Sequence, residues 1–170
     1  AKRKFWLSVC GVNEFDVTED ELCNIYYRNN VEGSTQWDMP KELNLLGLCP
    51  ALEVLEVNNN VIKDVPSSIC NIKTLKRFSA YENKLKELPK KMGELENLEI
   101  LDLHANDLKL IPKSFCDNTN LKILRLASNQ LVRLPDLLGT LPQLEILDVT
   151  SNRLATLPFS LGYAESLKEL

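Results

Sequence analysis

The chain has 170 residues, a length typical of one domain, with 44% hydrophobic residues, 26% charged residues and a formal net charge of −4 at pH 7. This hydrophobic content supports a packed core and excludes wholesale disorder. The acidic excess argues against a general nucleic-acid binder, and no apolar run reaches the roughly 18 residues that span a bilayer. We therefore expect no nucleic-acid partner and no membrane insertion.

The first part of the chain, residues 1–51, is irregular and rich in aromatic residues. Leu22, Ile25, Tyr27 and Asn30 follow the spacing L-x-x-L-x-L-x-x-N, and Leu7, Val9, Val12 and Phe15 form a weaker copy of it. The polar run 28–36 predicts an insertion loop. We interpret residues 1–51 as an N-terminal capping segment, because the end of a stacked array has one face in water and aromatic residues cover it efficiently. A separate small domain is the alternative.

A strict repeat of 23 residues starts at residue 52. Its leucines are Leu52, Leu75, Leu98, Leu121, Leu144 and Leu167. Five consecutive copies follow L-x-x-L-x-L-x-x-N-x-L-x-x-L-P, with apolar substitutions and without insertion or deletion. The sequence therefore predicts five repeats plus the start of a sixth over 52–170. Because no polar closing unit follows, we expect the chain to be a truncated piece of a longer protein.

Each position of the repeat has a physical meaning. The L-x-L core alternates with period two, which predicts a short strand whose leucines point inward. One unit cannot bury its own apolar face, so the units are expected to stack into a parallel sheet. An asparagine amide both donates and accepts where the chain leaves the strand, which predicts a buried ladder. Its members are Asn60, Asn83, Asn106, Asn129 and Asn152.

The segment after each strand predicts a short turn. Proline sets φ at its start, and apolar residues spaced by three favour 3₁₀ or helical turns. The nineteenth position is always small, which indicates a tight backbone approach; its residues are Cys70, Gly93, Cys116, Gly139 and Gly162. Asn118 and Ala164 replace the apolar residue of the twenty-first position, so we expect these two units to pack less well there.

This pattern resembles the leucine-rich repeat family over residues 52–170. The 23-residue unit with Leu-Pro is similar to the intracellular class found in Scribble-type, Ras-suppressor-type, Roco and plant Ras-group proteins. The resemblance implies an α/β solenoid, a right-handed coil with a parallel concave β-sheet and short 3₁₀ or helical turns on the convex side. It also implies that the concave face binds another protein.

The cysteines favour a reducing compartment. Cys70 and Cys116 occupy the same slot two units apart, at about 10 Å by strand spacing, whereas a disulfide needs Cα atoms within about 7 Å. The odd number of cysteines and the lack of an N-x-S/T sequon support this interpretation. The pairing of Cys10, Cys23 and Cys49 stays open. We expect an intracellular, cytoplasmic protein, with an extracellular receptor ectodomain as the alternative.

Catalytic motifs are missing from the sequence. It has no glycine-rich phosphate loop, C-x-x-C pair or H-E-x-x-H. Asp102 and His104 could form an acid–base pair, but Cys116 is predicted on the opposite, convex side and cannot serve as its nucleophile. Two such side chains are also too few for a metal site. We therefore predict no enzyme, no metal and no cofactor, and interpret His104 as part of a binding surface.

The outward positions of the predicted strands are the candidates for binding. Their largest or charged residues are Tyr81, Asp102, His104, Arg125 and Asp148. The third position adds an apolar strip of Ile100, Ile123 and Ile146, which is either the dry centre of an interface or a set of β-branched supports between strands. The second position alternates Glu and Lys, which predicts a continuous ladder of exposed ion pairs.

These features predict a non-catalytic scaffold or adaptor of intracellular signalling that binds a partner protein on its concave face. The first alternative is the regulatory region of a larger signalling enzyme, because related repeats occur fused to GTPase, phosphatase, cyclase or ubiquitin-ligase domains. The second alternative is a structural element of a cytoskeletal or ciliary assembly. The sequence leaves the oligomeric state open.

Overall fold

A computed structural model of the chain describes residues 52–170 and, as backbone, two earlier strands. Within these described residues, seven strands form one open sheet in chain order. Two strands come before residue 52, and each of the five repeats then contributes one strand. The strands are β1 (Phe15–Glu19), β2 (Ile25–Asn29), β3 (Val54–Glu56), β4 (Arg77–Ser79), β5 (Ile100–Asp102), β6 (Ile123–Arg125) and β7 (Ile146–Asp148). The 23-residue spacing therefore appears as one strand per repeat.

The strands from β2 to β7 are parallel and pair at equal positions of the repeat. Leu55 pairs with Phe78, and the same fourth position continues through Leu101, Leu124 and Leu147. These side chains are fully buried, because each repeat covers the apolar face of the one before it. This parallel sheet, with short 3₁₀ turns on the other side of the core, confirms the predicted solenoid.

The start of the sheet differs from the rest. Ile25 pairs in parallel with Leu55, so Ile25 has the fourth-position register that its degenerate spacing indicates. β1, however, runs antiparallel to β2, with Phe15 opposite Asn29. Their short connection can join antiparallel strands but is too short for the crossover of a parallel pair. Phe15 therefore does not continue the parallel array, while Leu7, Val9 and Val12 lie outside the described residues.

The 3₁₀ turns alternate in length from repeat to repeat. They are Ser67–Asn71, Met92–Glu94, Lys113–Asp117, Leu138–Thr140 and Phe159–Tyr163. The five-residue turns follow directly after Pro66, Pro112 and Pro158, whereas the three-residue turns follow Lys91 and Leu137. The structure of the convex side therefore has a period of two repeats.

The tight approach expected at the nineteenth position occurs at two glycines. A Cβ on Gly93 would overlap the backbone carbonyl of Ser114, and a Cβ on Gly139 would overlap that of Ser160. Each glycine also donates its backbone N–H to the facing serine Oγ, at 3.4 Å for Gly93 and 3.0 Å for Gly139. Gly162, by contrast, has no atom within 4 Å of its Cβ position.

The Glu–Lys row forms separate pairs instead of the expected continuous ladder. The pairs are Glu53–Lys76 at 2.8 Å, Glu99–Lys122 at 2.7 Å and Glu145–Lys168 at 2.9 Å. Each acid thus pairs with the lysine of the following repeat, and the hydrogen bond that Lys76 donates to Glu53 raises the pKa of Lys76. These ion pairs and the glycine contacts alternate between successive interfaces, so neighbouring interfaces are held by different contacts.

Asn118 corrects the prediction of poorer packing at the twenty-first position. Its side chain is 0% exposed. With its amide nitrogen turned inward, it donates to the carbonyls of Met92 at 3.3 Å, Gly93 at 3.3 Å and Leu95 at 3.2 Å. The amide therefore replaces apolar packing by hydrogen bonds to the preceding turn, which satisfies a buried polar group. Ala164 is half-buried directly after the last 3₁₀ turn.

Candidate functional site

The asparagines at the ninth position join each turn to the preceding repeat. Asn83 Oδ1 accepts the N–H of Ile62 at 2.9 Å, and its Nδ2 donates to the carbonyls of Val57 at 2.9 Å and Ala80 at 3.1 Å. Asn106 and the next two asparagines repeat this pattern. These bonds hold the strand ends in register, which sets where the outward side chains stand.

The burial of the ladder is less uniform than expected. Asn83 is 2% exposed, Asn106 7% and Asn129 6%, so these three asparagines are buried as the sequence indicates. Asn60 and Asn152 are half-buried, because the stack covers them less completely at the ends of the described repeats. The central repeats are therefore the most rigidly supported part of the concave face.

The turn after each strand contains a left-handed residue at the eighth position. These residues are Asn59, Glu82, Ala105, Ser128 and Ser151, with φ between 52° and 57°. Left-handed backbone costs an ordinary L-residue about 1–2 kcal/mol, and the asparagine bonds of the same turn offset this cost. Sequence alone does not predict this conformation, since only Asn59 among these residues adopts it readily.

Four predicted binding residues form one cluster on the central strands. The rings of Tyr81 and His104 stack with centroids 4.5 Å apart and an interplanar angle of 13°. His104 Nδ1 lies 2.7 Å from Asp102 Oδ1, and Asp102 Oδ2 lies 3.6 Å from Arg125 Nη1. We call Tyr81, Asp102, His104 and Arg125 the central cluster. Its rings are presented on the concave face in one orientation.

Asp102 lies on the concave side, as the repeat spacing predicts, but little of its surface is exposed. It is 9% exposed and also accepts the backbone N–H of His104 at 3.3 Å. Its carboxylate therefore holds His104 and Arg125, and these two side chains are more exposed than the acid. Restrained side chains lose less conformational entropy on binding, which favours a surface of this kind as an anchor.

Asn58 is a supporting residue whose role the sequence did not indicate. Its Oδ1 accepts the hydroxyl of Ser79 at 2.7 Å and the backbone N–H of Tyr81 at 3.1 Å. It thus positions Tyr81 from the neighbouring repeat. The sequence also did not indicate a role for the polar residue directly before the first leucine of each unit after the first: the hydroxyl of Thr74 donates to the carbonyl of Leu52 at 2.7 Å.

The other predicted contact residues lie beside the central cluster. Asp148 Oδ1 accepts the backbone N–H of Thr150 at 3.0 Å and its hydroxyl at 2.8 Å, so this acid is bound within its own repeat. Ile100, Ile123 and Ile146 lie side by side on neighbouring strands and are half-buried. They therefore contact one another and still present apolar surface to the concave side.

The thiols lie apart from this surface. Cys70 is buried and Cys116 half-buried, both are free, and both lie in 3₁₀ turns opposite the strands. Burial raises the pKa of each thiol, and the charges of Glu94 and Asp117 raise the pKa of Cys70 and Cys116 further. Cys10, Cys23 and Cys49 lie outside the described residues.

The residues that the structure describes contain neither a metal-ligand cluster nor a membrane-spanning helix. In this part of the chain, no group of three or more His, Cys, Asp or Glu side chains could hold a metal ion. No helix there is long and apolar enough to cross a bilayer.

Comparisons with known proteins agree with this architecture. Residues 96–154 match a family model for the leucine rich repeat. An internalin from Listeria monocytogenes is 21% identical, with a TM-score of 0.66 over 76% of this chain and 38% of that chain. A leucine-rich repeat protein of Leptospira interrogans is 27% identical, with a TM-score of 0.56 over 78% and 40%.

The structure of a TDR receptor is also similar. It is 32% identical, with a TM-score of 0.68, over 75% of this chain and 23% of that chain. No curated protein matches the sequence. This chain spans less than half of each of these three structures. At 21% identity, the internalin shows the fold alone.

Proposed function

We propose that this chain, which belongs to the leucine-rich repeat family, binds a partner protein through the concave face of β3–β7. Domains of this family generally bind proteins and are typically non-catalytic. The central cluster is the observation that carries this proposal. It combines two stacked rings with an arginine whose side chain is 45% exposed, and aromatic and arginine side chains dominate binding energy at protein interfaces. The half-buried isoleucines beside it would add apolar contact area.

The proposed role is that of a scaffold or adaptor in intracellular signalling. Two features of the described repeats support a binding role over catalysis. The acid–histidine pair of Asp102 and His104 is on the concave side, whereas Cys116 is on the convex side. A regulatory region of a larger signalling enzyme, or a structural element of an assembly, would use the same face, and identification of the captured partner separates these three roles.

A double substitution tests the concave face. We expect Tyr81→Ala with Arg125→Glu to weaken partner capture at least about tenfold, because it removes one stacked ring and reverses the exposed charge. The melting midpoint should change little, since neither side chain belongs to the buried core. Capture is measured by quantitative pull-down from native lysate, and folding by circular dichroism.

The matched control changes the same residue types elsewhere. Tyr163 and Arg153 are exposed and lie outside the strands, so Tyr163→Ala with Arg153→Glu should leave capture unchanged. If the concave variant captures as well as the parent chain, the proposal is wrong. The convex side or the polar run 28–36 then becomes the better candidate.

A receptor ectodomain is the second candidate, supported by the 32% identity to a TDR receptor. Thiol titration of the unfolded, unreduced chain from its native source distinguishes the two locations. We expect five free thiols, as in a reducing compartment. Because Cys70 and Cys116 are free, a result of three would indicate one disulfide among Cys10, Cys23 and Cys49 and would favour the ectodomain.

A further inference from the structure

The seventh position of the repeat changes abruptly in size along the concave face. Tyr81 and His104 occupy it with two stacked rings, whereas the next repeat has Ala127 and the following one Thr150. The strands are in register, and Ala105 N donates to Ala127 O at 2.9 Å, so Ala127 lies directly beside His104. Tyr81 covers one face of the imidazole. The opposite face is on the side of the next repeat, where Ala127 has only a methyl group.

The larger neighbours of Ala127 turn away from the space above it. Arg125 directs its guanidinium towards Asp102, at 3.6 Å. Thr150 directs its hydroxyl towards Asp148, at 2.8 Å. Two strand spacings separate His104 from Thr150 by about 10 Å. This width holds one planar side chain, which needs about 3.5–4 Å from its neighbour on each face.

We propose that this slot, bounded by His104, Ala127 and Thr150, binds an aromatic side chain from an extended segment of the partner protein. The bound ring would continue the existing stack at the 4.5 Å spacing of Tyr81 and His104. The inference rests on the concave-face binding proposed above and adds the chemistry of its anchor.

The charge beside the slot selects an aromatic over a cationic side chain. Arg125 lies two residues before Ala127, and its side chain is 45% exposed. Its guanidinium, held towards Asp102, lies at the edge of the slot and disfavours an arginine or lysine of the partner by charge repulsion. Two acids lie near the slot and both are already engaged: Asp102 by His104 and Arg125, and Asp148 by the backbone N–H and the hydroxyl of Thr150.

Methyl NMR with indole as the probe tests the slot directly. In a chain labelled at alanine methyl groups, indole should move the Ala127 resonance upfield in a saturable manner, because the ring stacks above it. The methyl of Ala155, which is exposed outside the strands, is the internal control and should not shift. Methylguanidinium, the cationic probe of comparable planarity, should produce no saturable change at Ala127.

Two variants make the test specific. His104→Ala removes the stacking wall and should abolish the saturable shift, and Ala127→Leu, which fills the slot, should abolish binding of indole as read from the His104 ring protons. Ala155→Leu should leave the indole titration unchanged. Saturation by methylguanidinium instead of indole, no saturable shift with indole, or an unchanged shift in His104→Ala each overturns the aromatic slot.

The outcome is separable from that of the proposed function. If indole leaves Ala127 unaffected while Tyr81→Ala with Arg125→Glu still loses partner capture, the slot is wrong and concave binding stands. If indole binds and Ala127→Leu captures the partner as well as the parent chain, the slot is not the partner's anchor and the inference is overturned. Loss of capture in Ala127→Leu, with Ala155→Leu unimpaired, supports it.

Discussion

Replacing Asn106 with leucine is expected to lower the free energy of unfolding by about 3–4 kcal/mol. The substitution leaves the N–H of Leu85 without its acceptor at 2.9 Å, and the carbonyls of Ala80 and Leu103 without their donor at 2.9 and 3.1 Å. All these groups are buried, so water cannot replace the lost partner, and each unpaired group costs about 1–3 kcal/mol. Urea denaturation followed by circular dichroism measures the change.

The end of the ladder provides the matched control. Asn152 makes the corresponding bonds to Leu131 and Leu126 but is half-buried, so water can reach part of this turn. Asn152→Leu should therefore cost less, about 1–2 kcal/mol. Equal losses for the two variants, or an unchanged midpoint for Asn106→Leu, would contradict the ladder as the support of the concave face.

The second large effect is expected at Gly93. Gly93→Ala should lower the free energy of unfolding by about 3 kcal/mol, because the new methyl group overlaps the backbone carbonyl of Ser114 in the next repeat. A backbone carbonyl cannot rotate away as a flexible side chain can, so the two repeats must separate. In a solenoid, where stability depends on neighbouring interfaces, the weakened interface should also broaden the urea transition.

Gly162 is the control for this prediction. It has the same position in its repeat, but no atom lies within 4 Å of its Cβ position. Gly162→Ala should leave stability unchanged or raise it by about 0.4–1 kcal/mol, since alanine restricts the unfolded chain. Similar destabilisation at Gly93 and Gly162 would show that helix or turn preference, and not the contact with Ser114, decides the effect.

The sequence determined the features that depend on position within the repeat. Spacing alone indicated which side chains of each strand point inward and where the turns come. It also predicted a tight approach at every nineteenth position, which the structure has at Gly93 and Gly139 but not at Gly162. It also placed Ile25 at the position that pairs with Leu55, although the first unit is degenerate. A constant 23-residue period brings equal positions of successive repeats together, so this part of the structure can be predicted from the repeat period of the sequence.

The tertiary structure alone decided which neighbours each side chain bonds. A glutamate of the second position has a lysine on both sides, and only the geometry between repeats makes Glu53 bond Lys76 in separate pairs. The same geometry buries Asp102 against His104 and Arg125. Rotamers and the contacts between whole repeats set these choices, and a sequence period carries no information about either.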